Sequence, residues 1–263
     1  MSAPYKYDPF EPMLAKVIES AQHRLIKHIV KLRNDSGYRY RLSTLFIEGK
    51  KLVFEVANTK KIRRLFLRKN TPIPSEIRYQ ELYFLNDRLF KKIASTQSPE
   101  PFAAEIDLPK EADLSEKQRL LVLDKVTDPG NVGTLIRTAL ALSFDGIFLT
   151  TGSADLFNDK ALRAAKGATF HLAYTRGDTQ KLLTLASRFQ LYVGDREGIS
   201  LSQLTFSRPL ILALGNESQG ASEEIKQVGT CVSIPLSLQT DSLNVASAGA
   251  ILMHTIREQL WPN

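Results

Sequence analysis

Three short segments hold the residues best suited to chemistry. They are Asp124-Lys-Val-Thr-Asp-Pro-Gly-Asn-Val-Gly133, Gly215-Asn-Glu-Ser-Gln-Gly220 with Ala221 and Ser222, and Ser237-Leu-Gln-Thr-Asp-Ser-Leu-Asn244. Each is polar, rich in small residues and preceded by an apolar run. Polar loops at the carboxyl ends of buried strands are where α/β folds hold ligands. Three such loops could converge to wrap one small molecule through backbone amides and carbonyls. Arg137 is the other unusual residue, set among Leu135, Ile136, Ala139 and Leu140. If buried it needs an anionic partner; periodicity alone favours an exposed face. Neither glycine loop ends in the Gly-Lys-Ser/Thr of a nucleotide P-loop. No strand leads into G-x-G-x-x-G with an acid about twenty residues on, so a standard dinucleotide site is unsupported. His23, His28, His171 and His254 show no metal-ligand spacing, and the single Cys231 excludes a disulfide framework or a cysteine-rich zinc cluster.

The elements that must position these loops follow from apolar patterning. Leu120 to Leu123, Gly146 to Leu149, Leu191 to Val193, Leu210 to Leu214 and Val232 to Leu236 read as strands. Helices are expected from about Val132 to Leu142, with Asn131 as N-cap, and over Asp159 to Lys166, Leu182 to Phe189 and Val245 to Leu260. Alternation of this kind predicts a parallel α/β sheet.

The preceding segment is organised differently. The chain has 35 Lys+Arg against 28 Asp+Glu, a formal charge of +7. A division at the polar stretch 108–115 puts 21 Lys+Arg and 13 Asp+Glu, net +8, in residues 1–112; residues 113–263 carry 14 and 15, net −1. Charge confined to one half suggests that this half meets a polyanion, although a solvated basic domain has the same composition. Residues 12–34 show the spacing of an amphipathic helix. Arg33 to Arg41 follows as a turn-rich stretch in which Tyr38 and Tyr40 interleave with Arg39 and Arg41, suited to single-stranded RNA or to an ordinary solvated loop. Strands over Leu45 to Ile47, Lys61 to Arg68 and Phe102 to Ile106, with helices over Gly49 to Asn58 and Asn86 to Ser95, complete a small α/β domain. No apolar run approaches a membrane span and no targeting pattern is present, so a soluble cytoplasmic protein is expected.

Asp128-Pro-Gly-Asn-Val-Gly-Thr-Leu-Ile-Arg-Thr-Ala139 resembles the first motif of the SpoU (TrmH-like) RNA 2′-O-ribose methyltransferases of the SPOUT superfamily. Leu214-Gly-Asn-Glu-Ser-Gln-Gly-Ala-Ser222 resembles the second, and Ile234-Pro-Leu through Ser242-Leu-Asn-Val-Ala246 the third. Ser218 stands where the family usually has glycine. Tyr38-Arg39 and Leu45-Phe-Ile-Glu-Gly49 are similar to the ribosomal-protein-like (L30e-like) substrate domain of rRNA-directed members. The resemblance implies a knotted C-terminal domain, a deep trefoil that is a rare exception to unthreaded topology. It also implies a homodimer, S-adenosylmethionine as cofactor, no metal, and large-subunit (23S) ribosomal RNA as substrate. The alternatives are tRNA, or an RNA-binding protein that keeps the fold without catalysis. By position the cofactor pocket would use Leu214, Gly215, Ile234 and Leu243. The catalytic set would be Asn131, Arg137, Glu217, Ser242 and Asn244, with Asn131 and Glu217 bracing the loops and orienting Arg137. Arg137 would be either the base that takes the hydroxyl proton or the group that binds the neighbouring phosphate and stabilises a developing alkoxide. Arg33, Tyr38, Arg39 and Arg41 are the expected RNA contacts.

Overall fold

The computed structural model describes residues 15–237 and 239–261. They form two compact units, divided in sequence between Leu108 and Pro109. The division falls slightly before the expected one because 109–112 is tied to the second unit. Ala112 N donates to Tyr174 O at 2.8 Å, and Glu111 accepts from Thr175 Oγ1 and Arg176 N.

The first unit runs β1 (Lys16–Ile18), α1 (Arg24–Asn34), α2 (Ser36–Leu42), β2 (Thr44–Glu48), α3 (Lys50–Ala57), β3 (Ile62–Arg68), β4 (Tyr79–Leu85), α4 (Asp87–Ile93) and β5 (Phe102–Asp107). Its sheet has the order β1-β4-β3-β5-β2. β5 runs antiparallel to both neighbours, and the other pairs are parallel. Ile26, Ile29 and Leu32 of α1 and Leu89, Phe90 and Ile93 of α4 pack on Phe46, Phe66 and Tyr83 of the sheet.

Two expectations fail in this unit. The helix expected over 12–34 begins only at Arg24, and its first residues, Leu14 included, lie outside the described part. Val17 and Ile18 belong to β1, which pairs in parallel with β4. Their spacing fits a helix, but β-branched neighbours suit a strand once a distant edge is there to pair with. The turn-rich stretch 33–41 is mostly helix as well. Asp35 caps α2 by accepting from Tyr38 N at 2.8 Å, and it is the one residue between the two helices.

That helix changes the reading of two arginines. Arg39 is 2% exposed. Its guanidinium donates to Leu32 O at 2.7 Å and Arg33 O at 2.8 Å, satisfying carbonyls at the end of α1. Arg33 likewise donates to Ile93 O at 3.0 Å and to Ala94 O, closing the end of α4. The expectation that both meet RNA directly is therefore corrected: turning Tyr38 and Arg39 into a helix rotates the arginine inward. Arg39→Ala is expected to lower unfolding stability by about 3 kcal/mol, since charged hydrogen bonds and buried packing go together. Urea unfolding tests this. A variant as stable as wild type but weaker for RNA would restore the direct-contact reading.

The second unit contains β6 (Arg119–Leu123), α5 (Pro129–Ala141), β7 (Gly146–Thr150), α6 (Asp159–Ala165), β8 (Ala173–Gly177), α7 (Thr179–Ala186), β9 (Gln190–Ser200), β10 (Leu210–Leu214), α8 (Glu223–Val228), β11 (Thr230–Ser233) and α9 (Val245–Leu260). The sheet order is β11-β9-β10-β6-β7-β8, with every pair parallel. β7 and β8 extend the sheet to one side of β6, and β10, β9 and β11 to the other. The loops after β6 and β10 thus flank a switch in strand order, the position where such sheets bind ligands. β8 and α8 are not evident in the sequence; β8 has only two buried residues, Tyr174 and Thr175, and α8 has one, Ile225. The last strand stops at Ser233, releasing Ile234 to the following loop. Among the described residues no helix is long and apolar enough to cross a membrane.

Candidate active site

All three polar loops leave the carboxyl end of the parallel sheet, and side chains tie them together. Asp124, at the end of β6, is 0% exposed. It accepts from Ser222 N at 2.7 Å, Ser222 Oγ at 2.6 Å and Thr150 Oγ1 at 2.8 Å. Asn216 Nδ2 donates to Lys125 O at 2.9 Å, a second bond between the loops after β6 and β10. The loop after β10 is itself tight: Asn216 and Gly220 exchange two backbone hydrogen bonds, each 2.9 Å. A Cβ on Gly215 would lie 2.0 Å from Ala221 N and from Gly220 C, so only glycine permits that closure. Gly220 has φ +74°, but Ser218 is not among the positive-φ residues. The serine in place of the family's usual glycine is accommodated: its N–H donates to Asn216 Oδ1 at 2.9 Å.

α5 starts earlier than expected. Asp128, not Asn131, is its N-cap, accepting from Asn131 N at 2.9 Å, with Pro129 in the first turn where no N–H is needed. The correction has a chemical consequence, because it frees the Asn131 side chain. Asn131 Nδ2 donates to Glu217 Oε1 at 2.9 Å and Asn131 Oδ1 accepts from Asn244 Nδ2 at 3.2 Å. Asn244 also caps α9 by accepting from Ala246 N at 2.9 Å. One asparagine therefore joins the loops after β10 and β11 to the start of α5.

Burial opposes the charge on Glu217, but the Asn131 amide and backbone N–H groups of Glu217, Thr127 and Asp128 outweigh it, holding the carboxyl below its ordinary range. A depressed folded-state value means that the charge stabilises the loops above the ordinary carboxylate range and stops doing so as pH falls through that depressed value. The stability difference between wild type and Glu217→Ala is accordingly expected to stay constant from neutral pH down to about pH 4 and to close below it. A difference that stays the same from neutral pH to well below the ordinary carboxylate range would show that the carboxyl is not held.

Beside this lock lies a cavity of about 390 Å³. Leu214, Gly215, Ile234 and Leu243 all line it, as do Glu217 and Ser242. Asn131, Arg137 and Asn244 do not. Sequence reasoning missed one wall, Gly194-Asp195-Arg196-Glu197 at the end of the β9–β10 pairing. A signal was present, since this polar, glycine-bounded stretch follows the apolar run Leu191 to Val193 just as 215–220 follows Leu210 to Leu214. Among the described residues no group of three or more His, Cys, Asp or Glu is placed to hold a metal.

Arg137 lies on the exposed side of α5, whose buried side is Val132, Gly133, Leu135, Ile136 and Ala139. It makes no hydrogen bond or ion pair among the described residues. Asn131 and Glu217 bond each other rather than orienting it, which corrects that expectation.

Residues 118–254, more than half of the chain, match the SpoU rRNA Methylase family. The chain belongs to the SpoU family. A relative in Bacillus subtilis, 23S rRNA (guanosine(2553)-2′-O)-methyltransferase RlmP, is 33% identical over 248 residues, covering 92% of this chain and 99% of its own. A 23S rRNA (uridine(2479)-2′-O)-methyltransferase of Streptomyces viridochromogenes is 27% identical and covers 70% of this chain and 69% of its own. Among solved structures, an AdoMet-bound rRNA methyltransferase from Sinorhizobium meliloti superposes with a TM-score of 0.85 at 25% identity, over 94% of this chain and 98% of that one. As a SpoU protein, this chain has its family match entirely in the second unit, which holds the cavity, the loop lock and Arg137.

Proposed function

We propose that this SpoU protein transfers a methyl group from S-adenosylmethionine to a ribose 2′-hydroxyl of large-subunit ribosomal RNA. The observation that carries the reading is the cavity beside the Asn131–Glu217–Asn244 lock, at the switch in strand order. Its size lies within the usual range for small-ligand sites. The lining suits the cofactor: Leu214, Val232 and Leu252 offer apolar surface, and Glu197 and Glu217 offer carboxylates to a ligand with a positive centre, while Asp195 is paired with Lys226 at 2.8 Å. When bound, S-adenosylmethionine supplies an electrophilic methyl on a sulfonium sulfur.

The residues of the chain then position and exclude. Leu214, Gly215, Ile234 and Leu243 hold the cofactor, largely through backbone groups. Asn131, Glu217 and Asn244 fix the three loops, so alignment of the hydroxyl is set in advance. Ser242 orders the loop after β11 and hydrogen-bonds near the hydroxyl. Arg137 binds the phosphate next to the target ribose and stabilises negative charge developing on its oxygen, whose proton passes to water; a guanidinium offers charge and planar donors rather than a lone pair. The Bacillus and Streptomyces relatives, named as 23S rRNA 2′-O-methyltransferases, support this substrate. The first unit is read as an L30e-like RNA-binding domain and the second as carrying the deep trefoil knot. The first reading is supported by the mixed sheet with basic helices, the second by the family match over 118–254. We read the protein as a cytoplasmic homodimer. Leu140 and Ile251, 36% and 40% exposed on α5 and α9, are apolar surface for a second copy to cover.

The test is transfer of labelled methyl from S-adenosylmethionine to total rRNA from a strain lacking the gene, followed by mapping of ribose methylation. A single 2′-O-methyl site in large-subunit RNA is expected. Label in tRNA alone would overturn the substrate. No label in free RNA or in precursor particles would overturn catalysis and leave an RNA-binding protein.

A further inference from the structure

The α1–α2 corner of the first unit is a basic surface with a single acid, Asp35. Arg24, Lys27 and Lys31 are exposed and fall at i, i+3 and i+7 of α1, within one third of the helix circumference. At 1.5 Å per residue they span about 10 Å. Neither α1 nor α2 contains an aspartate or glutamate; the one acid between them, Asp35, is committed to the Tyr38 N–H. Arg24, Lys27, Lys31 and Arg41 make no ion pair among the described residues. Several cations elsewhere in the unit are neutralised locally: Lys16 and Arg64 by Glu81, Arg63 by Asp107 and Arg68 by Asp87.

Two of the free cations are also held in place. Lys31 Nζ lies 4.8 Å and Arg41 Cζ 5.2 Å from the centroid of the Tyr38 ring. The Tyr38 hydroxyl is 2.9 Å from His28 Nδ1, and His28 Nε2 is 3.2 Å from Glu105 Oε1, a carboxylate 1% exposed and also bound by Arg64 at 2.6 Å. Tyr38 is thus anchored to the sheet and presents Lys31 and Arg41 from a rigid base. Arg39, buried beneath, fixes the angle between the two helices.

We propose that Arg24, Lys27, Lys31 and Arg41, arranged around Tyr38, form the surface of the first unit that takes the phosphate backbone of the substrate RNA. The inference rests on the reading of the chain as an RNA methyltransferase. It replaces Arg33 and Arg39 with three cations of α1 and gives Tyr38 a positioning role.

The test is made on the full-length chain with Arg24, Lys27, Lys31 and Arg41 all changed to Gln, binding a large-subunit rRNA fragment across a salt titration. Each phosphate neutralised contributes about 0.7 to the slope of log affinity against log salt on single strands, so the slope is expected to fall by about 3. Affinity for S-adenosylmethionine, read by calorimetry, is expected to be unchanged, and thermal unfolding reports that the fold is kept. Lys27→Gln alone is expected to remove about 0.7 of the slope, which keeps the test open if the fourfold variant fails to fold. The comparison set Lys51→Gln, Lys61→Gln and Lys69→Gln, three exposed lysines elsewhere in the unit, is expected to leave the slope unchanged. An unchanged slope in the fourfold variant, or equal losses from both sets, would overturn the surface. So would wild-type protein that binds an acidic protein but not RNA. A wild type that binds RNA through these cations yet transfers no methyl would instead overturn the functional reading alone.

Discussion

Arg137→Ala is expected to lower methyl transfer at least about a hundredfold, about 2.7 kcal/mol of barrier, with no loss of cofactor affinity. The two effects separate because Arg137 is a surface residue on a rigid helix. α5 is held at its start by Asp128 and along its length by close packing. A Cβ on Gly133 would lie 2.2 Å from Ala161 O, and one on Gly249 of α9 would lie 2.4 Å from Leu135 Cδ2. Truncating an exposed side chain disturbs neither contact, and Arg137 does not line the cavity. What is lost is a charge with no partner in the described chain, placed on the unit that carries the reaction. Retention of more than about a tenth of the rate would remove Arg137 from the catalytic set. Arg137→Lys discriminates its roles. Lysine keeps the charge but not the planar fork, so partial activity independent of pH supports phosphate binding, whereas a rate that climbs with pH points to proton removal.

Asp124→Ala is expected to cost on the order of 4 kcal/mol of stability and to abolish cofactor binding. Asp124 accepts three short bonds, at 2.6, 2.7 and 2.8 Å, from a site with no access to water. Removing the carboxylate leaves the Ser222 N–H and the Ser222 and Thr150 hydroxyls without that acceptor in the interior. The strand ends of β6 and β7 and the loop after β10 lose their common anchor, and that loop supplies Gly215 and Glu217 to the cavity. Urea unfolding and calorimetric titration with S-adenosylmethionine read the two effects. A loss under about 1 kcal/mol with binding intact would show that the loops are held by backbone bonds alone. A double-mutant cycle with Ser222→Ala isolates the hydroxyl bond alone, one of the three, because the Ser222 backbone N–H still donates in that variant.

Much of the second unit was legible in sequence. The apolar runs at 120–123, 146–149 and 210–214 are strands, and the helix Val245–Leu260 has the expected limits. The reason is physical: strands buried on both faces must be continuously apolar, and Asn244 before an alanine-rich stretch is a local start signal. The polar loops were equally legible, since ligand-binding backbone must leave a buried strand as a short run of small residues. Motif spacing brought the four expected pocket residues into one cavity.

Other features depended on contacts between segments far apart in sequence. Val17 and Ile18 have helical spacing but join β1, because β4 lies more than sixty residues away with an edge to pair. Arg39 has the composition of an RNA ligand but points inward, because Asp35 starts a helix that turns it toward the carbonyls of α1. Asn131 stands where an N-cap is expected, yet Asp128 takes that role and leaves Asn131 to join Glu217 to Asn244. By itself the sequence determined the fold class, the family and the loops that carry the chemistry, since these depend on local pattern and spacing. Which side chains hold those loops together, and which cations remain free to meet a polyanion, only the tertiary structure decided. Hydrogen-bond partners and exposure are set by residues brought together from distant positions, and no local pattern specifies them.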